Sequence, residues 1–167
     1  MNKYLPALVC GFAAGVLNIV PVVKNFSCCL IIPIAAIFSL VLYQRANKDF
    51  TKLRASTGAL FGLLTGIFAA LFGTTFEIII IFISKTSDIN AALPELEKLM
   101  KNLPVNSIWD EVMNLMYKIS DEITQKGFSL IYSISVLFSS LIINSIFGMI
   151  GGIVGMQILN NRMKPKV

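Results

Sequence analysis

Residues 57–83 read TGALFGLLTGIFAALFGTTFEIIIIFI, and Glu77 is the only charge among them. A helix of this length, at about 1.5 Å per residue, exceeds the roughly 30 Å of a hydrocarbon core. With about 100° of turn per residue, Gly58, Gly62, Thr65, Gly66, Ala69, Gly73 and Glu77 fall on one face. Small residues there let a neighbouring backbone come close. In lipid, which is as apolar as leucine, close packing and polar contacts are what join helices. A carboxylate in such a run asks for a partner. The stretch therefore predicts a membrane helix that packs tightly on others.

The rest of the chain agrees. Of its 167 residues, 56% are hydrophobic and 14% charged, and the mean hydropathy is +0.77, outside the soluble range. Four apolar runs, about 4–23, 27–43, 57–83 and 128–159, each approach or exceed the roughly 17 to 25 residues of a bilayer crossing. Lys3 precedes the first run without a clear small-x-small cleavage site, so Tyr4 onward reads as retained. The second run is the shortest and holds Pro33, which leaves a kinked or partly re-entrant segment open beside a full crossing.

Charge sets the orientation. Lys3, Arg45, Lys48, Lys52, Arg54, Arg162, Lys164 and Lys166 face one acid, Asp49, on one side. The connection 84–126 holds five lysines and seven acids. Basic residues accumulate in the cytoplasm, which places both termini there in a plasma (bacterial inner) membrane, with Lys24 a minor exception outside. The net charge of +5 needs no nucleic acid, because anionic lipid suffices.

The outer connection carries two helical patterns. Leu93, Leu96, Leu99, Met100 and Leu103 recur at spacings of three and four, and so do Ile108, Trp109, Val112, Met113, Met116, Ile119 and Ile123 after Pro104. Two amphipathic helices follow, with Ser107 as an N-cap and Trp109 as an interfacial anchor. Their apolar faces can cover the chain's own bundle, lie on lipid or meet a partner. The fourth run is longer than a crossing needs, so its serine-bearing start is expected outside the core, after a break near Gly127.

Small-residue stripes of the glycine-zipper kind recur. The first run has Ala7, Gly11, Ala14, Gly15 and Asn18; the fourth has Ser129, Ser133, Ser140, Asn144, Gly148, Gly151, Gly152 and Gly155. Runs one, three and four are expected to pack through these faces, with Glu77 accepting hydrogen bonds from Asn18, Asn144 or a nearby serine, or reached by Lys24. Counting from the basic ends places Glu77, Asn18 and Asn144 in the outer half of the bilayer. Such a cluster is either a structural tether or a proton or cation site.

Histidine is absent, and Cys10, Cys28 and Cys29 have neither redox nor paired zinc spacing. No catalytic residue, metal or cofactor is indicated, and no nucleophile and base converge. The order of parts (paired first runs, basic loop 44–56, glycine-rich third run from Gly58, acidic amphipathic stretch, glycine-rich last run) resembles that of uncharacterised four-span bacterial membrane proteins grouped as a domain of unknown function. That resemblance covers the layout of the whole chain and implies an all-α four-span membrane fold with no assigned site. Tetraspanins are similar in topology only. The expectation is a single membrane domain, non-catalytic, acting by helix packing and association as a homo-oligomer or as a small subunit of a membrane complex. The alternative is a small channel or transporter using the polar residues of runs one, three and four.

Overall fold

The structure, a computed structural model, describes residues 3–20, 24, 27–47, 51–100 and 107–162. Pro21, Lys48, Asp49, Leu103, Pro104, Lys164 and Lys166 lie outside the described residues, as do the side chains of Cys28, Met100, Ser107 and Ile108. Six α-helices follow in order: α1 (Leu5–Leu17), α2 (Ile32–Asn47, entered through a π-helical turn, Ser27–Ile31), α3 (Ala55–Ser84), α4 (Asp88–Met100), α5 (Ser107–Lys126) and α6 (Leu130–Arg162). No strand occurs among the described residues.

Three stretches are long and apolar enough to cross a membrane: Cys29–Asn47 with 19 residues, Ala55–Ser84 with 30 and Leu130–Arg162 with 33. The first expected run differs. Its helix has 13 residues, about 20 Å at 1.5 Å per residue, and Asn18 to Val20 leave it as a turn and bend. The second run, despite Pro33, is one of the three. The π-helical turn that ends at Ile31, two residues before Pro33, is the kind of local rewinding by which a helix carries a residue without an N–H.

The chain forms two compact units, Met1–Phe76 with Val136–Val167, and Glu77–Ser135. In the first, the two helices that read as glycine stripes meet backbone to backbone. A Cβ on Gly62 would fall on the Gly148 carbonyl oxygen and one on Gly148 on that of Gly62; Gly58 and Gly152 oppose each other likewise, and Gly66 meets the Asn144 carbonyl. Four residues forward on α3 match four residues back on α6, so the two run antiparallel. On α1, a Cβ at Gly11 would lie 2.6 Å from Phe68 Cβ and one at Gly15 2.9 Å from the Gly73 nitrogen; here numbers rise together and the helices are parallel. Gly151 faces Pro33 and Gly155 faces Ile37, which sets α2 parallel to α6. Within this unit the four helices alternate in direction along the chain.

Small residues point inward and large ones outward. Ala7, Ala14, Ala36, Ala69 and Ala70 are buried, whereas Phe12, Phe38, Phe138, Ile142, Ile146 and Ile150 are exposed. An exterior of this kind fits a membrane, where apolar side chains need no cover. Large side chains are fully buried at the end that holds the α2–α3 connection: Phe61 and Leu40, packed with Ala7, Met156 and Leu159, with Phe61 against the rings of Tyr4 and Tyr43.

The second unit contains the last turns of α3, then α4 and α5 and the first turn of α6. Leu93 of α4 and Met113, Ile119 and Ile123 of α5 are buried. Asn90 Nδ2 donates to Thr124 Oγ1 at 3.2 Å and Tyr117 donates to Glu97, the pairing of antiparallel neighbours. That bond, first of all, holds the Tyr117 phenol above its ordinary range. Gly127 supplies the break between α5 and α6. Its φ is +73°, its N–H donates to Ile123 O at 2.7 Å, and a Cβ there would lie 2.8 Å from the Phe82 carbonyl oxygen. Only glycine meets all three demands at once.

Alanine is favoured over glycine inside a helix by about 1 kcal/mol, so any loss on Gly→Ala reports a collision. Gly62→Ala is expected to destabilise by roughly 1–3 kcal/mol through overpacking. Gly73→Ala, where the new Cβ would find Asn18 Nδ2 at an ordinary 3.4 Å, is expected to be neutral or stabilising. Thermal unfolding of both variants in the same detergent checks the contrast. Equal losses would show that the α3–α6 approach is not the tighter one.

Candidate functional site

Glu77 falls in the second unit, and Asn18 and Asn144 fall in the first. Within its unit Glu77 accepts a hydrogen bond from Tyr132, whose hydroxyl donates to Glu77 Oε1 at 3.0 Å. Tyr132 is buried and Glu77 half-buried. The geometry follows from the break at Gly127, which starts α6 alongside the end of α3 in this unit.

A polar layer continues from there. Ser133 Oγ donates to the Ser129 carbonyl one turn back at 2.8 Å, and Ser129 Oγ donates to Glu122 Oε2 at 2.7 Å. Of these two serines of the expected stripe, Ser129 meets a carboxylate and Ser133 a carbonyl of its own segment. The Tyr132–Glu77 hydrogen bond ties the start of α6 to the end of α3 and so acts as a tether. Among the described residues no three Cys, Asp or Glu side chains converge as metal ligands would. Cys10 is a buried thiol and Cys29 an exposed one.

The first unit holds Asn18 and Asn144. Asn18 caps the end of α1 beside Gly73, and Asn144 is buried, with its main-chain carbonyl against Gly66. Thr65, also buried, turns its hydroxyl to its own helix, donating to Phe61 O at 2.7 Å. Ser39 does the same to Ala36 O at 2.8 Å. Two buried atoms, Gln44 Nε2 and Thr74 Oγ1, have no hydrogen-bond partner among the described residues.

One residue that sequence reading did not single out closes an end of this unit. Asn160 accepts from the Leu53 N–H through Oδ1 at 2.9 Å and donates to the Leu53 carbonyl through Nδ2 at 2.9 Å. Its amide pairs with one residue of the connecting segment as a neighbouring strand would. Nothing local in the sequence signals this, since the partners are 107 residues apart.

Two expected outcomes follow from these contacts. Tyr132→Phe removes a hydrogen bond to a charged group and is expected to cost about 1.5–3 kcal/mol; Glu77→Gln, which keeps a carbonyl acceptor, is expected to cost less. A larger loss for Glu77→Gln in thermal unfolding would contradict the tether. Asn160→Leu strands a backbone donor and acceptor and is expected to cost roughly 1–3 kcal/mol. Faster amide exchange at Leu53 is the local readout.

No family model, no curated protein and no solved structure matches the chain.

Proposed function

We propose that the chain is a non-catalytic integral membrane protein of four passes that acts by association, with both termini on the basic, cytoplasmic side of the plasma membrane and the 84–126 connection outside. The alternating directions of α1, α2, α3 and the last turns of α6 support this topology. α1 then crosses as a short helix extended by the turn after Leu17. The amphipathic reading of α4 and α5 belongs to the same proposal.

What carries the association reading is the fate of the apolar residues on α4 and α5. The stripe of α5 is covered at Met113, Ile119 and Ile123, while Trp109 and Val112 on the same stripe are 49% and 39% exposed, and Leu99 of α4 is 64% exposed. Antiparallel pairing puts Leu99 at the same end of the hairpin as Trp109 and Val112. The apolar face outruns its cover there, which supports contact with another membrane subunit or a second copy. The glycine faces support it in a negative sense. Gly11, Gly15, Gly58, Gly62, Gly66, Gly148, Gly151, Gly152 and Gly155 already meet backbone or side chains of this chain, so association falls to other surfaces.

The test is purification in mild detergent with mass determination of whatever stays bound, for the native chain and for Leu99→Asp with Trp109→Asp. The expected result is a complex or oligomer from the native chain, and a monomer of unchanged thermal stability from the double variant. A native chain that is monomeric and partner-free under these conditions would sink the association reading.

A further inference from the structure

Five described cations, Lys3, Arg45, Lys52, Arg54 and Arg162, are exposed, and packing gathers them at one end of the first unit. Each is tied to the buried Phe61 cluster by a near neighbour in sequence. Tyr4, next to Lys3, has its ring 6.1 Å from that of Phe61. Tyr43, two residues before Arg45, has its ring at 4.5 Å. Leu53, flanked by Lys52 and Arg54, packs on the same cluster and is held at both backbone groups by Asn160, two residues before Arg162. The aromatic plug and the Asn160 amide therefore fix where these charges stand.

Nothing described in the unit neutralises them. Residues 3–20, 24, 27–47, 51–76 and 136–162 contain no Asp or Glu; the one acid of the neighbourhood, Asp49, lies outside the described residues. The N-terminus of the 30-residue α3 stands at the same end and adds positive potential there. Arginine forks suit phosphate oxygens in pairs, and a lysine supplies a compact charge beside them. A bilayer that surrounds the helices presents such phosphates at the level where the helices end.

We infer that this end is a docking surface for the phosphate headgroups of anionic phospholipid, held against Arg45, Lys52, Arg54 and Arg162. The inference rests on the bilayer reading above but not on association or on any partner of α4 and α5. It is selective for headgroup charge, which general membrane embedding is not.

The experiment reconstitutes the full chain in phosphatidylcholine membranes with and without phosphatidylglycerol, then counts lipid retained by native mass spectrometry. The native chain is expected to retain phosphatidylglycerol over phosphatidylcholine by about fivefold or more, which corresponds to roughly one cation–headgroup contact. The variant Arg45→Gln with Lys52→Gln, Arg54→Gln and Arg162→Gln is expected to lose the preference, while it keeps its helical circular dichroism and its unfolding temperature in phosphatidylcholine. The single variant Arg54→Gln, expected to lose part of it, carries the test if the quadruple variant does not fold. Equal retention of both lipids by the native chain overturns the inference, and so does a folded quadruple variant that keeps the preference. Displacement of the bound lipid by millimolar inorganic phosphate would assign the surface to a soluble anion instead. A chain that inserts into neither membrane overturns the bilayer reading and this inference together, whereas insertion with equal retention overturns this inference alone.

Discussion

The backbone contact of α3 with α6 is the constraint on which the first unit depends. Where Gly62 and Gly148 would carry side chains, each instead turns toward the other's carbonyl oxygen, and Gly58 and Gly152 repeat the arrangement one turn away. Such an approach brings main-chain dipoles and Cα–H groups into contact along the seam, each contact worth about 0.5–1 kcal/mol. Hydrophobic burial gives no comparable drive in lipid, so many small contacts at close range have to supply it. The seam also fixes register. A slide of one residue would set Leu63 or Phe61 where a hydrogen now sits.

That choice of interface determines the outside of the unit. Helices that meet through glycine and alanine leave their leucines, isoleucines and phenylalanines on the outer surface, as α6 does with Phe138, Ile142, Ile146 and Ile150. The pattern is an inversion of a soluble core and has the same physical root, since each side chain goes where its neighbours match it. Ile32, Leu40 and Phe61 are the bulky residues of the unit taken fully inward, and Phe61 is closed over by the Tyr4 and Tyr43 rings.

Much of this was legible in the sequence, and what was not has identifiable causes. The α3 stripe was plain because its period is regular over four turns. On α6 the glycines read as one face but form two adjacent rows: Gly148 and Gly152 turn to α3, Gly151 and Gly155 to α2. Neighbouring rows on a helix lie only about 60° apart, and spacing alone cannot say that two different helices fill them. The end of α1 was not legible, because hydropathy continues through Ile19 and Val20 whereas the helix ends at Leu17. Gly127 was found because a helix-ending glycine is a local signal. Tyr132 and Asn160 were missed because their partners are distant in sequence, and an aromatic or an amide in an apolar run carries no mark of which distant group it meets.

The two rows on α6 bear on what the first unit can do. A helix wedged at backbone distance against α3 on one side and α2 on the other cannot shift along either without unlocking both. The seam is filled between Gly58 and Gly66 by main-chain atoms, with no room for a column of water or an ion. Of the buried hydroxyls in this unit, Thr65 and Ser39 are engaged by carbonyls of their own helices, Thr74 Oγ1 has no partner among the described residues, and the described residues of the unit hold no carboxylate. A pore along the α3–α6 seam would therefore have to part main-chain contacts at Gly58, Gly62 and Gly66. Packing of this tightness suits a support that holds other surfaces in place, and weighs against conduction through the α3–α6 seam.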